Sequence, residues 1–276
     1  GKHKSFVPIQ REQETLWCLV EISMWGLADA YFTNFGWIVE AKLKEGELEN
    51  FKAVMNSQVN RALGEKGTLN YQYYMSDAGD ILVYERFADA DASHEHIENW
   101  DAHAERWIAA ATPTRMLHLG DLPDDVRERH ASLAPTWLKP FAGFAREENE
   151  KSAIKNGNDT TFENFGWIVE AKLNPGQLEE FKEVMNSQVK RAKTEEGTLN
   201  YQYYLSDEGD VLVYERFRDL EASYIHIENW NDHADRWIAA ATPTRMVHLG
   251  NLPQELRDMH ASLSPLLLKP LGGFAK

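Results

Sequence analysis

Apolar residues recur along the chain with two periods. From Gly36 to Leu43 they alternate, with Trp37, Val39, Ala41 and Leu43 on one side, which predicts a strand. Leu48, Phe51, Val54, Met55, Val59 and Ala62 then return at helical spacing, predicting a helix over about 46–64. Leu69, Tyr71, Tyr73 and Met75 alternate again, Asp77-Ala78-Gly79-Asp80 turns the chain, and Ile81, Val83, Glu85 and Phe87 form a third strand. A second helix is expected over about 90–111, ended by Pro113, with a fourth strand over Arg115 to Leu119. A short helix over about 123–133 and a tail from Lys139 to Phe144 follow. The order is β-α-β-β-α-β, a ferredoxin-like α+β unit.

The same pattern then starts again. Asn34 to Leu43 returns as Asn164 to Leu173, and the offset of 130 holds to the end without a gap. About 80 of the 113 aligned positions are identical. The chain thus divides into an extension over 1–33, a first copy over 34–146, a polar linker over 147–163 and a second copy over 164–276. The linker could span about 55 Å fully extended, so it allows the copies to pack in either direction. Apolar and aromatic residues lie on both faces of the strands, for example Tyr71 and Tyr73 against Tyr74. One face is covered by helices, so the other needs a partner, and a second copy in the same chain supplies it.

Composition narrows the partners. A net charge of −15 argues against nucleic acid and against an anionic membrane surface. No segment reaches the roughly 18 uninterrupted apolar residues of a membrane span. The nearest, Leu16 to Phe32, is broken by Glu21 and Asp29, and Glu21 also speaks against a secretory leader. The single cysteine, Cys18, excludes an intramolecular disulfide and fits a cytoplasmic or other reducing soluble compartment. In the extension, Leu16, Trp17, Val20, Met24, Trp25 and Leu27 recur at spacings that predict an amphipathic helix. It would cap an edge or join one molecule to the next.

The second helix carries the candidate chemistry. His96, Trp100, His103 and Trp107 are spaced by four, three and four, so one continuous helix would align them on one face. His226, Trp230, His233 and Trp237 repeat the pattern. Such a face suits a flat aromatic ligand, with imidazole as base or donor. The bland alternative is core packing with hydrogen-bonded imidazoles at its edge. Tyr71 and Tyr201 could orient a phenol, or simply pack the sheet. Arg106 and Arg236 are candidate anion contacts. Glu40 and Glu85 sit in apolar strands, as a base or as partners of arginine. A metal held by His96 and His103 is not expected, because seven helical residues separate them by about 10.5 Å.

These residues resemble a known family. The element order, Gly36-Trp-Ile-Val-Glu-Ala-Lys-Leu, Gly67-Thr-Leu-Asn-Tyr, Val83-Tyr-Glu-Arg-Phe and the helix from His96 to His103 are similar to the dimeric α+β barrel superfamily. Within it they look like the antibiotic biosynthesis monooxygenase (quinol monooxygenase-like) domain. The resemblance covers roughly 34–120 and 164–250. It implies two ferredoxin-like repeats packed as an intramolecular dimeric α+β barrel, with a pocket between each sheet and its helices. It also implies a cofactor-independent oxygenase acting on a quinol, an anthrone or a similar polyketide-like phenol. His103 and His233 are then the first choice of base, with His96 and His226 beside them. Trp100, Trp230, Tyr71, Tyr201, Arg106 and Arg236 would contact the substrate.

Two other readings stand beside this one. The barrel could be a non-catalytic ligand carrier or assembly scaffold. Haem binding is the third, since haem-cleaving relatives place a histidine near His103 and His233. Those relatives also use an Asn on the first strand and a Trp at the end of the third. Here Asn34 precedes the first strand and Phe87 stands near the Trp position, which counts against haem.

Overall fold

The computed structural model describes residues 34–146 and 165–275. The expectations for the extension and the linker fall outside these residues. In the first copy, β1 (Phe35–Leu43), α1 (Leu48–Ala62), β2 (Thr68–Met75) and β3 (Asp80–Phe87) follow one another. Then come α2 (Ala90–Asp101), α3 (Ala104–Ala110), β4 (Ala111–Leu119), α4 (Asp124–His130) and β5 (Thr136–Ala145). The second copy repeats this as β6 (Phe165–Leu173), α5 (Leu178–Ala192), β7 (Thr198–Leu205), β8 (Asp210–Phe217), α6 (Leu220–Asn231), α7 (Ala234–Ala240), β9 (Ala241–Leu249), α8 (Gln254–Met259) and β10 (Leu266–Ala275).

The strands form one closed barrel in the order β1-β3-β2-β10-β9-β6-β8-β7-β5-β4. Its interior explains the second apolar face. Ile38, Tyr74, Leu82, Tyr84, Leu117, Leu119 and Leu138 meet their seven counterparts Ile168, Tyr204, Leu212, Tyr214, Val247, Leu249 and Leu268 in one core. Residues of opposite parity, such as Ala41, Tyr71, Tyr73, Ile81 and Val83, face outward and pack under α1 and α3. α1 sends Phe51, Val54, Met55, Gln58, Val59 and Ala62 into that layer, as its spacing requires. Each large apolar side chain buried there is worth about 1.5–3 kcal/mol.

The segment read as a tail over Lys139 to Phe144 is a strand, which corrects that reading. β5 starts parallel to β4, with Leu117 beside Thr136, and ends antiparallel to β7 of the other copy, with Phe144 beside Tyr201. β10 does the same between β9 and β2. The copies therefore exchange strands as well as facing each other.

The long second helix is also corrected. It breaks at Ala102, and His103 caps the next segment with φ −122°. The cause is the His103 side chain. Its Nδ1 lies 2.8 Å from the Asn99 carbonyl, the acceptor that its own backbone N–H would use in a continuing helix. That N–H bonds the Trp100 carbonyl instead, at 2.8 Å.

Candidate active site

Each copy holds one cavity between the outer face of its sheet and its helices, of about 360 Å³ in the first and about 330 Å³ in the second. Trp37 and Val39 come from β1, Tyr73 from β2, Val83 and Glu85 from β3 and Met116 from β4. His96, Ile97 and Trp100 on α2, with Trp107 and Ile108 on α3, form the opposite wall. His130, at the end of α4, and Ser132 and Leu133 just after it, close the side. Three indole rings and a run of aliphatic groups make the space flat-walled and apolar, and a small set of polar groups converges on it.

One polar group is a buried chain of three. His96 Nδ1 lies 2.8 Å from Glu65 Oε2, and Nε2 lies 3.0 Å from Glu85 Oε2. Thr68 and Asn99 also donate to Glu65, at 2.6 and 2.8 Å, which fixes that carboxylate. The ring of Tyr71 stands edge-on to His96 at 4.5 Å. Burial opposes a charge on His96, but its bonds to Glu65 and Glu85 and the fields of both carboxylates outweigh it. The pKa is raised to about 9. His96 is therefore an imidazolium at neutral pH. In the second copy His226 sits between Glu195 at 2.8 Å and Glu215 at 3.2 Å, and its pKa is likewise raised to about 9.

The other polar group is a histidine pair. His118 Nε2 on β4 lies 3.0 Å from His130 Nδ1, and the His130 ring meets Trp37 edge-on at 5.0 Å. Burial, then the nearby Arg129, lowers His130 to about 4. Burial, then His130 and Arg127, lowers His118 to about 3. Both rings are neutral at neutral pH, and His130 keeps Nε2 without a hydrogen-bond partner among the described residues. His248 and His260 repeat the pair at 3.0 Å, with both pKa values lowered.

Of the residues expected at the site, His96, His226, Trp100, Trp230, Trp107, Trp237 and Glu85 line the cavities. The others lie elsewhere. His103 has both ring nitrogens engaged, Nδ1 on the Asn99 carbonyl and Nε2 on Ser57 Oγ at 2.9 Å. His233 does the same with Asn229 and Ser187. Neither offers a lone pair to a substrate or to a haem iron. Tyr71 stands one layer back, sharing a 2.6 Å bond with Tyr73, whose hydroxyl reaches Gln58. Tyr201 matches it through Tyr203. Arg106 is exposed, and Arg236 is exposed and paired with Glu180 at 2.7 Å, because the turn that aims Trp107 and Trp237 inward aims these arginines out. Among the described residues no group of three His, Cys, Asp or Glu is placed to hold a metal ion, and no helix is long and apolar enough to cross a membrane.

His130 and Glu65 were missed in the sequence, yet a signal exists. Positions 124, 125, 126, 128 and 129 all differ from their counterparts, while His130 persists as His260. Glu65 persists as Glu195 although Leu63, Gly64 and Lys66 all change.

Comparison with known proteins agrees with this architecture. Residues 165–240 match the antibiotic biosynthesis monooxygenase family. That stretch runs from β6 through α7, and it supplies most of the second cavity. A proposed monooxygenase from Lactobacillus acidophilus NCFM superposes with a TM-score of 0.58 at 12% identity, covering 89% of this chain and 100% of its own. One from Fusobacterium nucleatum superposes with a TM-score of 0.60 at 14% identity, covering 90% and 96%. At such identities the likeness is one of fold, the dimeric α+β barrel, here made by a single chain. No curated protein matches the sequence.

Proposed function

We propose that each cavity oxidises a small phenolic substrate, a quinol or an anthrone, with molecular oxygen and without a resident cofactor. One observation carries this reading. Two histidines line the same aromatic cavity and are driven to opposite protonation states, His130 down to about 4 and His96 up to about 9. Groups pushed apart in this way suit a base and an acid in one site. The monooxygenase family match supports the reaction class.

In this reading His130 takes a proton from the substrate through Nε2, leaving an electron-rich anion between the indole rings. Oxygen adds to the activated carbon, and the resulting peroxide loses water. For an anthrone the balance is one CH2 and one O2 in, one carbonyl and one water out, with all electrons drawn from substrate to oxygen. His96 passes its Nε2 proton through the Glu85 carboxylate, which lines the cavity, to the distal oxygen, which then leaves as water. The dry walls keep the anion from bulk solvent.

Oxygen uptake with a panel of anthrones and quinols tests this. The full chain is expected to consume oxygen, with a kcat/KM plateau between about pH 4 and about pH 9 set by these two groups. The double variant His130→Ala/His260→Ala should lose about 10²-fold or more. His103→Ala/His233→Ala should retain turnover, since those rings do not face the cavity. Turnover that survives loss of His130 and His260 would remove them as the base.

A further inference from the structure

The two cavities differ at the mouth. Of the sixteen positions that line the first, fifteen carry the same residue in the second, and the exception is Arg129, which becomes Met259. Beside it on the rim, Asp101 becomes Asn231. The two changes are physically linked, because Arg129 Nη2 donates to Asp101. Only that nitrogen is used, so Nε and Nη1 have no hydrogen-bond partner among the described residues. The Arg129 side chain is 45% exposed, so its remaining donors face anything entering. Met259, 51% exposed, gives the second mouth a thioether in place of a cation, beside the exposed Ile238 and Leu263.

We propose that position 129/259 sets ligand choice, so that the first cavity selects aromatic ligands carrying a carboxylate at the end nearest the mouth and the second selects neutral ones. This rests on reading each cavity as a site for a small aromatic substrate. The inner walls are shared and the volumes are close, so size does not discriminate between the cavities. A carboxylate entering the first mouth gains a guanidinium fork, and charge-assisted bonds of that kind are the stronger ones. In the second it loses water and meets an apolar rim. Asp101 moderates the preference, because it already holds one edge of Arg129 and repels a second anion.

Titration calorimetry of the full chain with 2-naphthol and with 6-hydroxy-2-naphthoate tests the assignment. The neutral naphthol should fill two sites. The naphthoate should fill one site on the order of tenfold more tightly than the other, a gap that one charge-assisted hydrogen bond can supply. Arg129→Met should abolish the tight naphthoate site and leave both naphthol sites. Met259→Arg should create a second tight naphthoate site, and Asp101→Asn should tighten the first. Two equal naphthoate sites in the unaltered chain, or a naphthoate isotherm indifferent to Arg129→Met, would overturn the selectivity while leaving the cavities as aromatic sites. Failure of both probes to bind would overturn the reading beneath it and the selectivity together.

Discussion

His96 and His130 are the same residue type in one cavity, and their surroundings alone separate them. Two carboxylates hold the proton on His96, whereas burial beside arginine removes it from His130. The same shifts govern stability. His96 and His226 have folded pKa values above the ordinary value of 6.5, so their contribution is complete below about 6.5 and fades as pH rises towards about 9. His118, His130, His248 and His260 are lowered, so their contribution is complete above about 6.5 and fades as pH falls, towards about 4 for His130 and His248 and about 3 for His118. Thermal unfolding should therefore peak near pH 6.5 and decline on both sides. His96→Gln/His226→Gln is expected to flatten the alkaline limb while the acid limb stays. The place of His96 and Trp100 in the cavity wall was legible in the sequence. It misled for His103, because spacing along a helix says nothing about whether that helix is interrupted by the very side chain in question.

At the scale of elements, most strands and helices were readable because their periods are clean. The failures came where one group does two jobs. The His103 imidazole competes with its own backbone for the Asn99 carbonyl, and so α2 and α3 are separate. β5 and β10 read as tails because Pro140, Gly143 and Pro270, Gly273 interrupt any alternation. The glycines are what let those strands dock. Gly143 has φ +127°, and a Cβ there would lie 2.0 Å from the Tyr201 carbonyl oxygen; Gly273 has φ +118°, with 1.9 Å to that of Tyr71. Gly143→Ala and Gly273→Ala should each cost about 3 kcal/mol or more, measured by denaturant unfolding. Similar losses at the two sites would reflect the strand exchange, because each glycine seats one copy on the other. α4 is tied to α2 by His94 and Asp125 at 2.7 Å and by Arg129 and Asp101. The counterparts are Tyr224 with Glu255 and Met259 with Asn231, so the second copy has no equivalent of the arginine–aspartate ion pair.

The barrel as a whole makes each copy the other's missing face. That need was legible in strands apolar on both sides, whereas the closure of ten strands was not, since it depends on the exchanged tails. Charge joins the halves too. Arg115 reaches Glu170 at 2.7 Å, and Arg245 reaches Glu40 at 2.6 Å, between strands that are not neighbours in the barrel. Each arginine also contacts the glutamate of its own copy, which makes a partly buried ring of four alternating charges. Glu40→Gln/Glu170→Gln would leave two guanidinium groups facing each other and should cost about 2 kcal/mol or more in denaturant unfolding. Restoring neutrality with Arg115→Met/Arg245→Met in the same chain should recover much of that loss. The claim on which the functional reading rests is the split protonation in both cavities, and histidine ring NMR of the nitrogen-15-labelled full chain measures it without any substrate. At pH 7.5 imidazolium signals are expected for His96 and His226, and at pH 5.5 a neutral signal for His130, with His260 titrating below the ordinary value, each assigned by its variant. All four rings titrating together near 6.5 would contradict the split.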